Sequence, residues 1–526
     1  MKNNIFKYIF IIGFIIFLIV VYAMFYNQEE IKRNVDQTST KTTIITNIRV
    51  GIAGFDTLNP IVSNNKNVKD ISRLIFDSLI TIDENQKIEY SLATEIAKID
   101  ALTYIVKLKE NVFWHDGTLF TANDVIFTFD KIKQGEGFVS PYNTNLKYVD
   151  RLEIIDSNTL KISLSQEVEF FEYKLTFPIL NEAYYLNEDF VNTIKNDTII
   201  GTGKFYISEA ANNKVKLSKN LNYWNKENIN TMLEEIEITV YNTIGEVYTD
   251  FKSGYLDVID VQVANIEDYI GGLGYKKIEY STRNVNFLSF NTTKNEMLAD
   301  SRVRRAINYM LDRNNIISNI GVGFSVSQFI FPQTHWLYND KLEVNYNAEQ
   351  AQILLQEAGY TYTNNTWIKN GKVLEFTITV DEARGDRVQV ANNIVTQLAN
   401  HGIKTNVNIV SNNVYQNFLD NKNYDVILCG FETEFSPKIS TLFGNGNIAN
   451  YNNPQINEIL SVVKSTTAND ALMENYNTLY DIYLQDMPYI FLYRETNYMI
   501  YNQTLCGTLT PSAFSIFHNI DKWYRK

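Results

Sequence analysis

Apolar residues recur along this chain with two different periods, and the change from one to the other divides it. Ile48 to Ile52 reads as a strand, and Phe55-Asp56-Thr57-Leu58-Asn59-Pro60 leaves it as a turn, because Pro60 has no N–H for a ladder bond. Residues 69–82 suggest a helix running into a short strand. Tyr104 to Leu108 alternates as a strand. Lys109 to Asn111 turns it, and His115-Asp116-Gly117 makes a second turn in which Gly117 is free to take positive φ. Thr121 followed by Asp124 is a capping-box start for a helix with Val125, Phe129 and Ile132 on its apolar stripe. Strand-like runs follow at 152–155 and 159–164, parted by the turn Asp156-Ser157-Asn158. Further runs lie at Lys214 to Leu217, Ile236 to Tyr241 and Leu256 to Val261, the last preceded by a helix from Glu246 to Ser253 that stops at Gly254.

A helical period takes over near residue 285. Val303, Ala306, Ile307, Met310 and Leu311 sit at i, i+3, i+4, i+7 and i+8, with Arg302, Arg304 and Arg305 off the apolar face. Ala351, Leu354, Leu355 and Ala358 repeat the pattern up to Gly359. Then come a strand at 373–380, a helix at 388–401 stopped by Gly402, and a strand at 403–410. A strand–helix–strand unit with a long crossover implies parallel pairing and an α/β lobe. Val426 to Leu428 adds a further buried strand.

At 526 residues the chain exceeds what one core usually holds, so two or more lobes are expected. The net charge of −13 argues against a nucleic-acid partner, which needs a basic face. Two cysteines, Cys429 and Cys506, exclude a disulfide framework; a single pairing is open to them in an exported protein, and free thiols are the favoured reading. Four scattered histidines offer no metal-ligand spacing. No metal and no cofactor are expected. Lys2 and Lys7 precede an apolar run from Tyr8 to Tyr26, long enough to span a bilayer, and they favour a cytoplasmic N-terminus. This reads as an uncleaved anchor. The rival reading is a signal peptide cleaved after Ala23, which would release the body. No cysteine is placed for lipid attachment. Either way the body is exported, and residues 27–45 read as a polar linker.

The stretch Trp114-His115-Asp116-Gly117 with Thr121-Ala122-Asn123-Asp124-Val125 resembles the signature of the family 5 extracellular solute-binding proteins, the peptide-binding components of bacterial ABC importers. Asp56 to Pro60, Gly201-Thr202-Gly203 before Phe205-Tyr206, Asp300 to Ile307, Leu311-Asp312-Arg313 and Ala351 to Tyr360 resemble other family motifs in the right order. Lys204 replaces a proline of the family pattern. The resemblance implies an α/β, two-lobed periplasmic-binding-protein-like clamp with an extra subdomain, behind the anchor or signal at 1–26. The first lobe would use 46–57, 176–285 and 492–526, the extra subdomain 58–175, and the second lobe 286–491. It also implies a monomer on the outer face of the cytoplasmic membrane that passes peptides to an ABC permease. A membrane-anchored peptide sensor, or a binder of nickel or another solute, is the alternative on the same fold.

The resemblance further implies where a peptide sits. In oligopeptide binders the acid that holds the α-ammonium lies after a buried strand and a glycine. The matching segment here is Gly430-Phe431-Glu432-Thr433-Glu434-Phe435, with Glu434 at the acid's place, one methylene longer than the family's aspartate. Phe55, Asn291 and Tyr493 join Gly430, Phe431, Glu432 and Glu434 as cleft candidates because they fall at the lobe crossings. No catalytic residue is expected. There is no G-x-S-x-G motif, Gly203-Lys204 lacks the rest of a phosphate loop, and His115-Asp116 reads as a turn closure. His401, at a helix end before Gly402, is placed to bond free carbonyls. His335 and His518 read as surface or packing residues.

Overall fold

The computed structural model describes residues 46–54, 56–135, 137–186, 199–211, 213–228, 232–262 and 274–526. The anchor or signal at 1–26, the linker at 27–45 and Phe55 lie outside the described residues. Among those described, no helix is long and apolar enough to cross a membrane.

Strand β1 (Asn47–Ala53) opens the fold and helix α1 (Lys66–Ile75) follows, capped by the Asn65 side chain on the Asn67 N–H. Next is a four-stranded antiparallel sheet of β2 (Ala93–Lys98), β3 (Thr103–Leu108), β4 (Val149–Asp156) and β5 (Thr159–Leu164), in the order β2-β3-β5-β4. Helix α2 (Ala122–Gln134) packs beside it. Its capping box is complete: Thr121 accepts at the first turn while Asp124 Oδ2 accepts the Thr121 N–H at 2.8 Å.

The chain then builds β6 (Phe205–Ala211), β7 (Lys214–Lys219), β8 (Glu235–Tyr241) and β9 (Val258–Val261). Strand β10 (Tyr275–Phe290) carries it across to a second half. There lie α3 (Ser301–Met310), β11 (Phe324–Val326), α4 (Ala348–Glu357), β12 (Glu375–Asp381), α5 (Gly385–Asn400), β13 (Lys404–Val410), β14 (Val426–Glu432) and α6 (Asn469–Asp486). Strand β15 (Tyr489–Asn502) crosses back. Among the described residues these make one eleven-stranded sheet, ordered β13-β12-β14-β10-β15-β9-β1-β8-β7-β6, with β11 on β15. The β12–α5–β13 unit pairs in parallel, as its pattern predicts.

Two large apolar cores sit on either side of the crossing. One gathers Ile48, Val50, Ile236, Ile238, Val106 and Phe129. The other gathers Leu288, Ile378, Val380, Ile394, Leu428 and Phe491. The chain is therefore a two-lobed α/β clamp whose lobes share β10 and β15.

Two expectations are corrected by the structure. Arg304 is not on an open helix face but buried, 3% exposed, donating to the carbonyls of Leu298, Ala299, Asp486 and Met487. It caps the end of α6, where unpaired carbonyls gather. The His401 ring meets the Tyr346 hydroxyl at 3.1 Å instead of helix carbonyls. His335 is buried and stacks on Phe331, while His518 pairs with Glu84 at 2.8 Å.

The His115 turn has a definite partner. Its N–H donates to Gly201 O at 2.9 Å, its Nδ1 accepts the Gly201 N–H at 3.2 Å, and Nε2 lies 3.1 Å from Gly203 O. This set requires the neutral ring with its proton on Nε2. Asp116 Oδ1 closes the turn on Thr118 at 2.9 Å to the N–H. Burial, more than the opposing bond to Gly203 and the charge of Asp116, pushes the His115 pKa down from 6.5 to about 4. The unfolded chain therefore binds a proton first as pH falls. Stability should drop as pH goes from about 6.5 to about 4, by on the order of 2–3 kcal/mol from this residue. His335, pushed by burial to about 3, adds a loss of the same sign. Denaturant unfolding across this range should show the fall, and a His115→Gln variant should show a shallower one.

Candidate functional site

The long crossing strands are out of step at one place. Ser281 pairs with Thr496 and Val285 with Arg494, so Thr282, Arg283 and Asn284 face Glu495 alone. A bulge of this kind re-aims side chains next to sites. Its polar groups are paired: Thr282 Oγ1 donates to Glu495 O at 3.0 Å and Asn284 Nδ2 to Glu495 Oε2 at 2.8 Å. The bulge delivers Arg283 into a cavity of about 530 Å³ lying over the crossing.

Several other stretches of the chain wall this cavity with the bulge. Helix α1 presents Lys66, Lys69 and Arg73 along one edge, at spacings of three and four residues, while Val68, Ile71, Leu74 and Ile75 are buried. The exit of β14 supplies Glu432 and Phe435. The C-terminal segment supplies Phe514. Two rings link the walls: Arg73 stacks on Phe514 at 4.0 Å, Arg283 on Phe435 at 4.5 Å, and the rings meet edge-on at 5.2 Å. Arg283 also pairs with Glu432 and donates to Thr433 O at 3.0 Å.

The sequence-predicted residues fall in different places. Glu432 lines the cavity. Phe431 is half-buried, edge-on to Phe287 at 5.7 Å. Gly430 lets β14 approach β10 closely, since an added Cβ would lie 2.5 Å from Val285 O. Glu434 stands beside the cavity with Oε2 2.7 Å from Lys174 Nζ and 3.0 Å from Ser436 Oγ. Burial alone would raise its pKa, but Lys174, Lys438 and Ser436 together pull it below the usual carboxylate range. Asn291 is buried away from the cavity lining, with Nδ2 on Lys422 O at 2.6 Å and Oδ1 closing a turn at Thr293 and Lys294. Tyr493 is fully buried and donates to Asp386 Oδ2 at 2.8 Å. Sequence reasoning missed Lys69, Arg73, Arg283 and Phe514. Only the cationic edge of α1 carried a signal, and its spacing equally fits an exposed helix face.

Among the described residues no group of histidine, cysteine and acidic side chains is placed to hold a metal ion. Buried Cys429 has its thiol pKa pushed up to about 12, chiefly by burial.

Two α/β lobes sharing a pair of crossing strands, with a cavity over the crossing, define a clamp-type binding protein. The chain belongs to the bacterial extracellular solute-binding proteins, family 5, whose middle-region model matches residues 87–451. It is similar to the oligopeptide-binding protein AppA of Bacillus subtilis (strain 168), at 26% identity over 505 residues, 90% of this chain and 91% of that one. Heme-binding protein A of Haemophilus influenzae (strain ATCC 51907 / DSM 11121 / KW20 / Rd) is 24% identical over 464 residues, 80% of this chain and 81% of that one. The periplasmic murein peptide-binding protein MppA of Escherichia coli (strain K12) is 22% identical over 470 residues, 81% and 83%. A solved unliganded open form of MppA shares the fold at a TM-score of 0.77 and 20% identity, covering 91% of this chain and 97% of that one.

Proposed function

We propose that this chain is an extracytoplasmic peptide-binding protein, not an enzyme, that captures peptides between its lobes and delivers them to an ABC permease. The observation that carries the reading is the cavity over the β10–β15 crossing, walled by elements of both lobes. It is supported by family membership and by the peptide binders among the relatives. On this reading residues 46–57, 176–285 and 492–526 act as the first lobe, 58–175 as the extra subdomain and 286–491 as the second lobe. The apolar run at 8–26 tethers the body to the membrane.

An extended peptide lying over the crossing satisfies its backbone at strand edges, so affinity does not depend on sequence. The Glu434 carboxylate receives the α-ammonium. Lys174 occupies it in the free protein, so an incoming amine exchanges one charge-assisted bond for another. Closure then excludes water.

Native mass spectrometry of the purified full-length protein should find co-purified peptides. A mixed peptide library at a hundred times its dissociation constant should stabilise the protein by about 2.7 kcal/mol. A protein that is empty and not thermally stabilised by the library overturns the proposal. Glu434→Gln should weaken free-amine peptides by about tenfold or more and leave N-acetylated ones unchanged. Lys174→Ala should strengthen free-amine peptides several-fold, because the competing ammonium is gone. Equal effects on both peptide types would remove Glu434 from the amine site.

A further inference from the structure

A second cavity, of about 410 Å³, lies beside the crossing strands and shares only Tyr280 with the lining of the first. Ser281 pairs with Thr496, and Tyr280 with Asn497. Successive strand residues point to opposite faces. Ser281, Arg494 and Thr496 therefore turn away from the face on which Tyr280 and Asn497 line the first cavity. Strand β11 and the chain that follows it, as far as Tyr338, complete the wall. Neither Glu434 nor Lys174 belongs to it.

Two buried polar groups in this wall have no partner. Arg494 and Thr496 are each 2% exposed, and Arg494 Nε and Thr496 Oγ1 bond nothing among the described residues. The rest of the guanidinium donates to carbonyls, Nη1 to Thr282 O at 3.3 Å and Nη2 to Ile330 O, and no carboxylate among the described residues lies in ion-pair range of it. The neighbouring acid, Glu343, is taken up by the Tyr338 hydroxyl at 2.7 Å and the Gln328 amide at 3.0 Å. Burial, opposed by Tyr338, pulls the Arg494 pKa down from 12.5 to about 9, so the guanidinium stays charged at neutral pH. The Thr496 backbone N–H is already used, on Gly323 O at 2.8 Å, and only its hydroxyl is idle.

A buried charge without a counter-ion and a buried hydroxyl without a bond both cost stability that an acceptor in the cavity restores. Arg494 and Thr496 stand two residues apart on one face of β15, so an N–H and an O–H are offered side by side. That pair suits the two oxygens of a carboxylate. Val326, Phe331 and Pro332 add apolar surface that a short alkyl chain can cover. Glu279, exposed and in the lining, opposes an anion of more than one charge.

We propose that this second cavity binds a short-chain monocarboxylate, a molecule separate from any peptide, with its oxygens on Arg494 Nε and Thr496 Oγ1. The proposal does not rest on the peptide-binding reading. The carboxylate can belong to a simple acid or to an amino acid. Propionate and alanine, which differ by the ammonium group, separate these sources.

Each is titrated into the full-length protein at constant ionic strength, with inorganic phosphate as a third probe, and read by calorimetry and melting temperature. At least one of the two carboxylates should bind and raise the melting temperature, and phosphate should be weaker by about tenfold or more. Thr496→Val keeps the shape and removes the hydroxyl. It should weaken the carboxylate by about tenfold. It should leave the melting temperature of the unliganded protein unchanged or higher, because the group removed bonds nothing there. A lower melting temperature of the unliganded variant means that an ordered water already satisfies the hydroxyl, and overturns the proposal. Binding undiminished in Thr496→Val places the anion elsewhere and overturns it too. So does phosphate binding as tight as carboxylate, or no binding of either carboxylate.

Discussion

Alanine at position 430 should lower the unfolding free energy by about 2–4 kcal/mol and abolish ligand binding at concentrations that saturate the native protein. Propensity alone argues the other way, since glycine weakens a strand interior. Close approach decides the sign. The new Cβ would lie 2.5 Å from Val285 O, 2.6 Å from Asn286 Oδ1 and 2.8 Å from Arg387 Nη2. Two of these are backbone or buried groups already engaged: Val285 pairs with Phe431 in the β10–β14 ladder, and Asn286 Oδ1 accepts from Arg387 Nε at 2.9 Å. Relief requires β14 to move off β10, which carries Glu432 and Phe435 away from Arg283. Urea unfolding and a peptide titration measure the two losses. Gly385→Ala is the control, because Gly385 opens α5 and an added Cβ would meet nothing within 4 Å. That exchange should stabilise by about 0.4–1 kcal/mol.

Asp257→Ala should cost about 3–5 kcal/mol without touching the cavity. Asp257 is fully buried at the entrance of β9. Its carboxylate accepts the Arg49 N–H at 2.9 Å, Arg49 Nε at 3.0 Å, Arg49 Nη2 at 2.9 Å and Arg525 Nη1 at 3.0 Å. It thus ties β1 to the last residues of the chain. Alanine leaves a buried backbone N–H unpaired and two guanidinium groups without their anion. Their side chains are 29% and 15% exposed, so water recovers part of the loss and the lower end of the range is expected. Asp257→Asn, which keeps one acceptor oxygen, should fall between. Denaturant melts rank the three proteins, and ligand affinity measured on the folded fraction should stay within about twofold.

Local patterns were legible where one face of an element is buried. The Thr121–Asp124 cap, the α3 and α4 stripes and the parallel β12–β13 pair followed from period and turn chemistry. The two crossing strands were not legible as units. Strand β15 is buried over nearly its whole length, so it has no alternation, and β10 passes from a polar half to an apolar half. A run buried on both faces does not reveal its period. Arg304 was misplaced for a related reason. A helical wheel separates charged from apolar residues, but it does not show a guanidinium turning inward to cap carbonyls of another helix.

By itself the sequence determined most of the short elements, the change of period near residue 285 and the family, because these depend on periods and turns set by neighbours a few residues apart. It also placed Glu432 and Glu434 together after a buried strand. Only the tertiary structure decided what surrounds them. Lys174 reaches Glu434 across 260 residues of chain, and Arg283 reaches Glu432 across 149. Lys69 and Arg73 arrive from helix α1, more than two hundred residues earlier in the chain than Arg283. Charge sets a site through distance in space, which falls steeply over a few ångströms and bears no relation to separation along the chain. The cationic character of the cavity in an acidic protein is therefore a property of the fold.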